Sequence, residues 1–135
     1  MDRLNELWPE FWVAAVETLY MTTFALILGG ILGLIIGCAL YASRPGGLMQ
    51  NRSVAFVTNF LVNFFRPIPF VIFIAVAQPL SRLVMGTGIG VNAGAFMIGL
   101  AAAFAIGRIV EQHLVSVSPG VIEAARSMGA GPWRI

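Results

Sequence analysis

Thr18–Ala42, TLYMTTFALILGGILGLIIGCALYA, runs for 25 residues without a charge. About 20 apolar residues in a helix cross the hydrocarbon core of a bilayer, so this stretch reads as a membrane span. Ala25, Gly29, Gly33 and Gly37 recur at every fourth position within it. That spacing gathers small side chains on one helix face, which lets two membrane helices pack backbone to backbone. The face is therefore expected to meet another helix of a larger bundle.

The rest of the chain agrees with a membrane setting. Of its 135 residues 59% are hydrophobic and 10% charged, against about 25% charged in a soluble domain. Mean hydropathy is +0.89. Every basic residue is arginine, which excludes a GxxxxGK[ST] phosphate loop within these residues. The arginines are scattered, so there is no nucleic-acid patch. Cys38, alone, makes neither an intramolecular disulfide framework nor a zinc site. No cofactor or metal is expected on this chain.

Upstream, residues 1–12 carry Trp8, Phe11 and Trp12 among polar residues, a composition suited to the membrane–water boundary. They lack the basic region of a cleavable signal peptide, and the apolar run that follows is too long for one. Downstream, Pro45-Gly46-Gly47 breaks the chain into a loop. Ser53–Leu80 is apolar except for Arg66. An arginine at the bilayer centre costs about 2.5–3.5 kcal/mol on insertion scales, which places Arg66 near the cytoplasmic end of this span, or against protein or water. Pro67 and Pro69 remove two helix hydrogen bonds and should bend or break the helix there. Arg66, Pro67 and Pro69 are candidates for the lining of a pathway, and Asn59, Asn63 and Gln78 are polar positions on the same element. Ser81–Gly90 is read as a connection; its Gly86-x-Gly88-x-Gly90 has no strand before it, which rejects a dinucleotide loop. Val91–Val110 is the next span, with a second small stripe of Ala95, Gly99, Ala103 and Gly107. Arg108 and Glu111, three apart, can pair on one helix face. His113, the sole histidine, suits a structural role.

The expected architecture is thus all-α and integral to the membrane, with spans over about 13–42, 55–80 and 91–110. Arg44 and Arg52 flank the first loop, and Arg126 and Arg134 follow the last span, with Arg108 at its boundary. The other side has Arg3 and Arg82 with Asp2, Glu6 and Glu10. The positive-inside rule then puts the N-terminus outside and the C-terminus in the cytoplasm.

Ser118–Ile135, SPGVIEAARSMGAGPWRI, is neither lipid-like nor a simple turn. Ser118 can cap a helix that Pro119 opens, expected over about 119–128, and Gly129 is a natural stop. Small residues in its middle let another protein approach closely. Glu123-Ala124-Ala125, three residues, then Gly129 resembles the EAA loop of binding-protein-dependent ABC importer permeases. Phe65-Arg66-Pro67-Ile68-Pro69-Phe70, Pro79-Leu80-Ser81-Arg82, Gly86-Thr87-Gly88-Ile89-Gly90 and Arg108-Ile109-Val110-Glu111 resemble the methionine-import branch of that family. The family pattern continues with an I-x-L-P segment that these residues do not reach, so the resemblance implies a chain truncated within the motif.

The resemblance implies an inner-membrane permease subunit that imports methionine, with ATP and magnesium held by a cytoplasmic ATP-binding subunit. It assigns coupling to that subunit to Glu123, Ala124, Ala125 and Gly129. It implies an extracytoplasmic substrate-binding protein and a second permease copy as further partners. A small three-helix interaction protein, or a permease fragment without transport, is the alternative that the chain length leaves open. An intramembrane enzyme is disfavoured, because the spans offer no histidine or aspartate and Cys38 has no base within its own span.

Overall fold

The computed structural model describes residues 2–44, 51–65, 67–131 and 134. Among them every regular element is helical: α1 (Asp2–Ser43), α2 (Arg52–Phe65), α3 (Phe70–Met85), α4 (Val91–Val115) and α5 (Pro119–Ser127). α1 and α4 are long and apolar enough to cross a membrane, and α3 is a shorter apolar helix. At 1.5 Å per residue the 42 residues of α1 reach about 63 Å, twice the hydrocarbon thickness. The aromatic lead-in is therefore the first part of the same helix as the span. Trp8, Phe11 and Trp12 form an exposed cluster there, with ring centroids 5.9–6.2 Å apart.

α1 and α4 pack along their lengths and run parallel. Met21 lies against Gly94, Ala25 and Leu28 against Gly99, Gly29 against Ala102, Gly33 against Ile106 and Gly37 against Val110. The two small stripes thus meet each other, rather than waiting for helices elsewhere in a bundle. A Cβ on Gly37 would sit 2.6 Å from the Val110 Cβ and 2.7 Å from the Gly107 carbonyl oxygen. One on Gly107 would sit 2.8 Å from Ile36. Each helix offers a gap to a branched side chain of the other, so the fit is reciprocal. Ala25, Ala95 and Ala103 are buried in or beside this seam.

The stretch expected as one span over 55–80 is two helices. The Asn51 side chain accepts hydrogen bonds from the Ser53 and Val54 N–H groups, at 3.1 and 3.2 Å, and so starts α2. α2 ends at Phe65, ahead of Pro67 and Pro69, neither of which can donate to a helix. Pro69 opens α3 with ψ 134°, and its carbonyl accepts from Ile72 at 2.9 Å. α3 then continues to Met85, beyond the expected end at Leu80, because nothing in Ser81–Met85 opposes a helix. Ser81 and Arg82, read from sequence as part of a connection, are helical. The Ser81 hydroxyl is fully buried and donates to the Thr87 carbonyl at 2.9 Å. Gly86, with φ 74°, ends the helix in the left-handed region that glycine occupies without strain. Phe73 and Ala77 of α3 pack with Ala93, Phe96 and Met97 of α4 as the core, joined by Phe24 and Leu28 of α1.

Candidate functional site

α5 follows α4 after a three-residue turn, Ser116–Ser118, and buries none of its side chains. Pro119 sits in its first turn, where a missing N–H costs nothing. Ser118 occupies the cap position, but its side chain makes no capping hydrogen bond, contrary to the expectation. The Val121 N–H is instead taken by the Ser118 carbonyl at 3.0 Å. The far end closes with the Ala130 N–H on the Ala125 carbonyl at 3.0 Å and the Gly129 N–H on the Arg126 carbonyl at 2.9 Å. This pair of bonds is the Schellman arrangement, which needs a left-handed residue in its turn. Gly129 supplies it with φ 82°. A Cβ there would meet nothing within 4 Å among the described residues. Glu123, Ala124 and Gly129 are exposed and Ala125 is half-buried, so these four form part of an open knob with a fixed end.

A second feature lies at the break between α2 and α3. Phe65, Ile68, Phe70 and Phe73 line an apolar cavity of about 110 Å³ with Ala101, Phe104 and Ala105 of α4. Phe65 stacks on Phe104 at 5.0 Å, and Phe73 meets both rings edge-on at 6.0 and 6.4 Å. Pro67 and Pro69 are exposed beside the break; Arg66 lies outside the described residues. Asn59 donates to the Ala55 carbonyl of its own helix at 2.8 Å. Gln78 reaches the Gly88 carbonyl at 3.4 Å, and Asn63 is exposed.

Near the end of α4, Arg108 and Glu111 form an ion pair with the Glu111 side chain largely buried. The Arg108 Nε is buried and has no hydrogen-bond partner among the described residues. His113 Nδ1 donates to the Ile109 carbonyl one turn back at 2.8 Å, a structural use of the ring. Among the described residues no group of side chains could hold a metal ion.

The fold and much of the sequence have close counterparts. The chain is 40% identical to the D-methionine transport system permease protein MetI of Escherichia coli K12 over 119 residues. It is homologous to the methionine-transport permeases. The Salmonella typhi protein of the same name is 41% identical over 119 residues, and each of these alignments covers 88% of this chain and 55% of the relative. A probable D-methionine permease of Pasteurella multocida is 33% identical over 129 residues, 96% of this chain and 59% of the relative. The permease homologue also superposes on a chain of the MetNI methionine ABC transporter, solved in inward-facing conformations. There the TM-score is 0.85 at 38% identity, covering 94% of this chain and 60% of the other. The homologue thus spans a little over half the length of the curated relatives it matches. No protein-family model matches it.

The aromatic lining of the cavity is what sequence reading of this permease homologue missed. Phe65 and Phe70 were visible beside the prolines. That Phe104 joins them depends on the rotational setting of α4 against the broken segment, which no local pattern states.

Proposed function

We propose that this chain forms part of the membrane subunit of an ATP-driven methionine importer of the bacterial inner membrane. The observation that carries the reading is α5: an exposed helix with small residues in its middle and a fixed glycine end, attached directly to a span. In this reading Glu123, Ala124, Ala125 and Gly129 dock in a cytoplasmic ATP-binding subunit that holds ATP and magnesium. Closure of that subunit then shifts a two-state bundle, through contacts that differ between its states. No nucleotide chemistry falls to this chain.

Three crossings are proposed, with the N-terminus outside and α5 in the cytoplasm. Parallel packing of α1 and α4 supports the three crossings, because two parallel spans require the intervening α2–α3 segment to return across the bilayer. The arginine distribution supports the orientation. An extracytoplasmic binding protein delivers substrate, and a second permease copy completes the pathway.

The test is co-purification from detergent-solubilised membranes with the ATP-binding subunit, with and without Glu123→Lys. Retention that the substitution weakens is the expected result. Loss of retention by the unaltered chain, properly inserted, would remove the coupling role and favour a small membrane interaction protein.

A further inference from the structure

The cavity at the α2–α3 break has features that point to an occupant. Its α4 lining, Ala101, Phe104 and Ala105, lies at the middle of a 25-residue helix long enough to cross a membrane. It is therefore at mid-depth if α4 spans, which is where transporters built on interrupted helices hold their cargo. The break itself releases backbone groups from helix bonding beside the cavity, and non-helical backbone at that depth needs a cavity or protein cover.

The lining also selects chemistry. Four phenylalanines line it, Phe65, Phe70, Phe73 and Phe104, and a polarisable thioether sulfur packs favourably at the edges of aromatic rings. Apolar cavities of about 150 Å³ hold a benzene-sized ligand. At about 110 Å³ this one suits a slimmer guest, such as the Cβ–Cγ–Sδ–Cε chain of methionine. A charged group also lies one turn further along α4. Arg108 follows Phe104 by four residues and so shares its face of α4; its guanidinium pairs with Glu111, and its buried Nε–H has no partner among the described residues. A lipid tail needs no such donor, whereas an amino acid carries a carboxylate.

We propose that this cavity is the station in the membrane at which the thioether side chain of methionine rests during passage, with the substrate carboxylate turned toward Arg108. The proposal rests on the transport reading above. It makes Phe65, Phe73 and Phe104 specificity-determining residues of the permease, in addition to any selection by a binding protein.

The test uses the chain assembled with its ATP-binding subunit and binding protein in proteoliposomes, with photo-methionine, a diazirine analogue, as the probe. Uptake of labelled methionine is measured on the same vesicles. Illumination should label peptides containing Phe65–Phe73 and Ala101–Ala105, and excess methionine should suppress the labelling while serine does not. Ala101→Phe and Ala105→Leu each fill the space. Each should lower labelling and methionine uptake by about tenfold or more, the scale on which a misfit methylene is rejected by an apolar pocket. Co-purification of the ATP-binding subunit verifies that at least one of the two variants assembles. Because the diazirine carbon of photo-methionine stands in place of the sulfur, the deciding outcome is uptake: unimpaired methionine uptake by an assembled Ala101→Phe or Ala105→Leu variant, or labelling confined to other peptides, overturns the station and leaves the transport reading standing. Absence of uptake by the unaltered assembly overturns both. Capture of a diazirine-bearing phospholipid at the same peptides, undiminished by methionine, overturns the proposal in favour of a lipid tail.

Discussion

Glycine performs opposite tasks in the α1–α4 seam and at the end of α5. At Gly37 the backbone is ordinary helix and the space is full: a Cβ would lie 2.6 Å from Val110. At Gly129 no described residue comes within 4 Å of a Cβ, and the backbone is the constraint, with φ 82°. One glycine is kept for what touches it within the chain. The other is kept for a turn that leaves its surroundings free. Density of internal contact therefore separates the part of the molecule that holds itself together from the part left open to something else.

The largest effect that would sharpen this contrast is on transport. Gly129→Trp puts a bulky ring at a position where a Cβ would meet no described atom within 4 Å. On the proposed transport reading it should reduce methionine uptake to background while membrane insertion stays normal; unimpaired uptake would remove the docking role proposed for that turn. Next in size is Gly37→Ala, which adds one methyl to a filled seam. Overpacking of this kind costs about 1–3 kcal/mol, read as a lowered denaturation midpoint in detergent. A wild-type midpoint would mean that the two helices separate freely at that level. The smallest effect is expected at Gly30, which adjoins Gly29 on α1 and whose Cβ would meet nothing within 4 Å among the described residues. Gly30→Ala should stabilise α1 by about 0.5–1 kcal/mol, since alanine is the better helix former. Destabilisation there would show that the outer face of α1 is packed in the assembly.

Much of this architecture was legible in the sequence because membrane helices obey blunt rules. A charge-free run long enough to cross lipid announces α1, and two prolines within three residues announce the break after Phe65. Gly129 was legible as a stop because few residues tolerate the left-handed turn. Pairing was not legible. A stripe of small residues identifies a face but not its partner, so the stripes of α1 and α4 could have been matched elsewhere. The end of α3 was misplaced, since Ser81 and Arg82 look like loop residues until Ser81 is seen buried against the Thr87 carbonyl. The Ser118 cap failed for a different reason: the backbone carbonyl of the same residue took the Val121 N–H first.

The reciprocal fit between α1 and α4 also has a mechanical meaning. Gaps at Gly33, Gly37 and Gly107 receive Ile106, Val110 and Ile36, so the two helices are keyed like a shaft in its slot. Sliding one along the other by less than a helical turn would drive these branched side chains into backbone, and close-packed interiors resist that. A load applied at α5, which hangs from the end of α4, would therefore carry α1 along with it. The 42-residue helix becomes a lever arm that delivers such a stroke to the far end of the molecule, where its aromatic cluster stands.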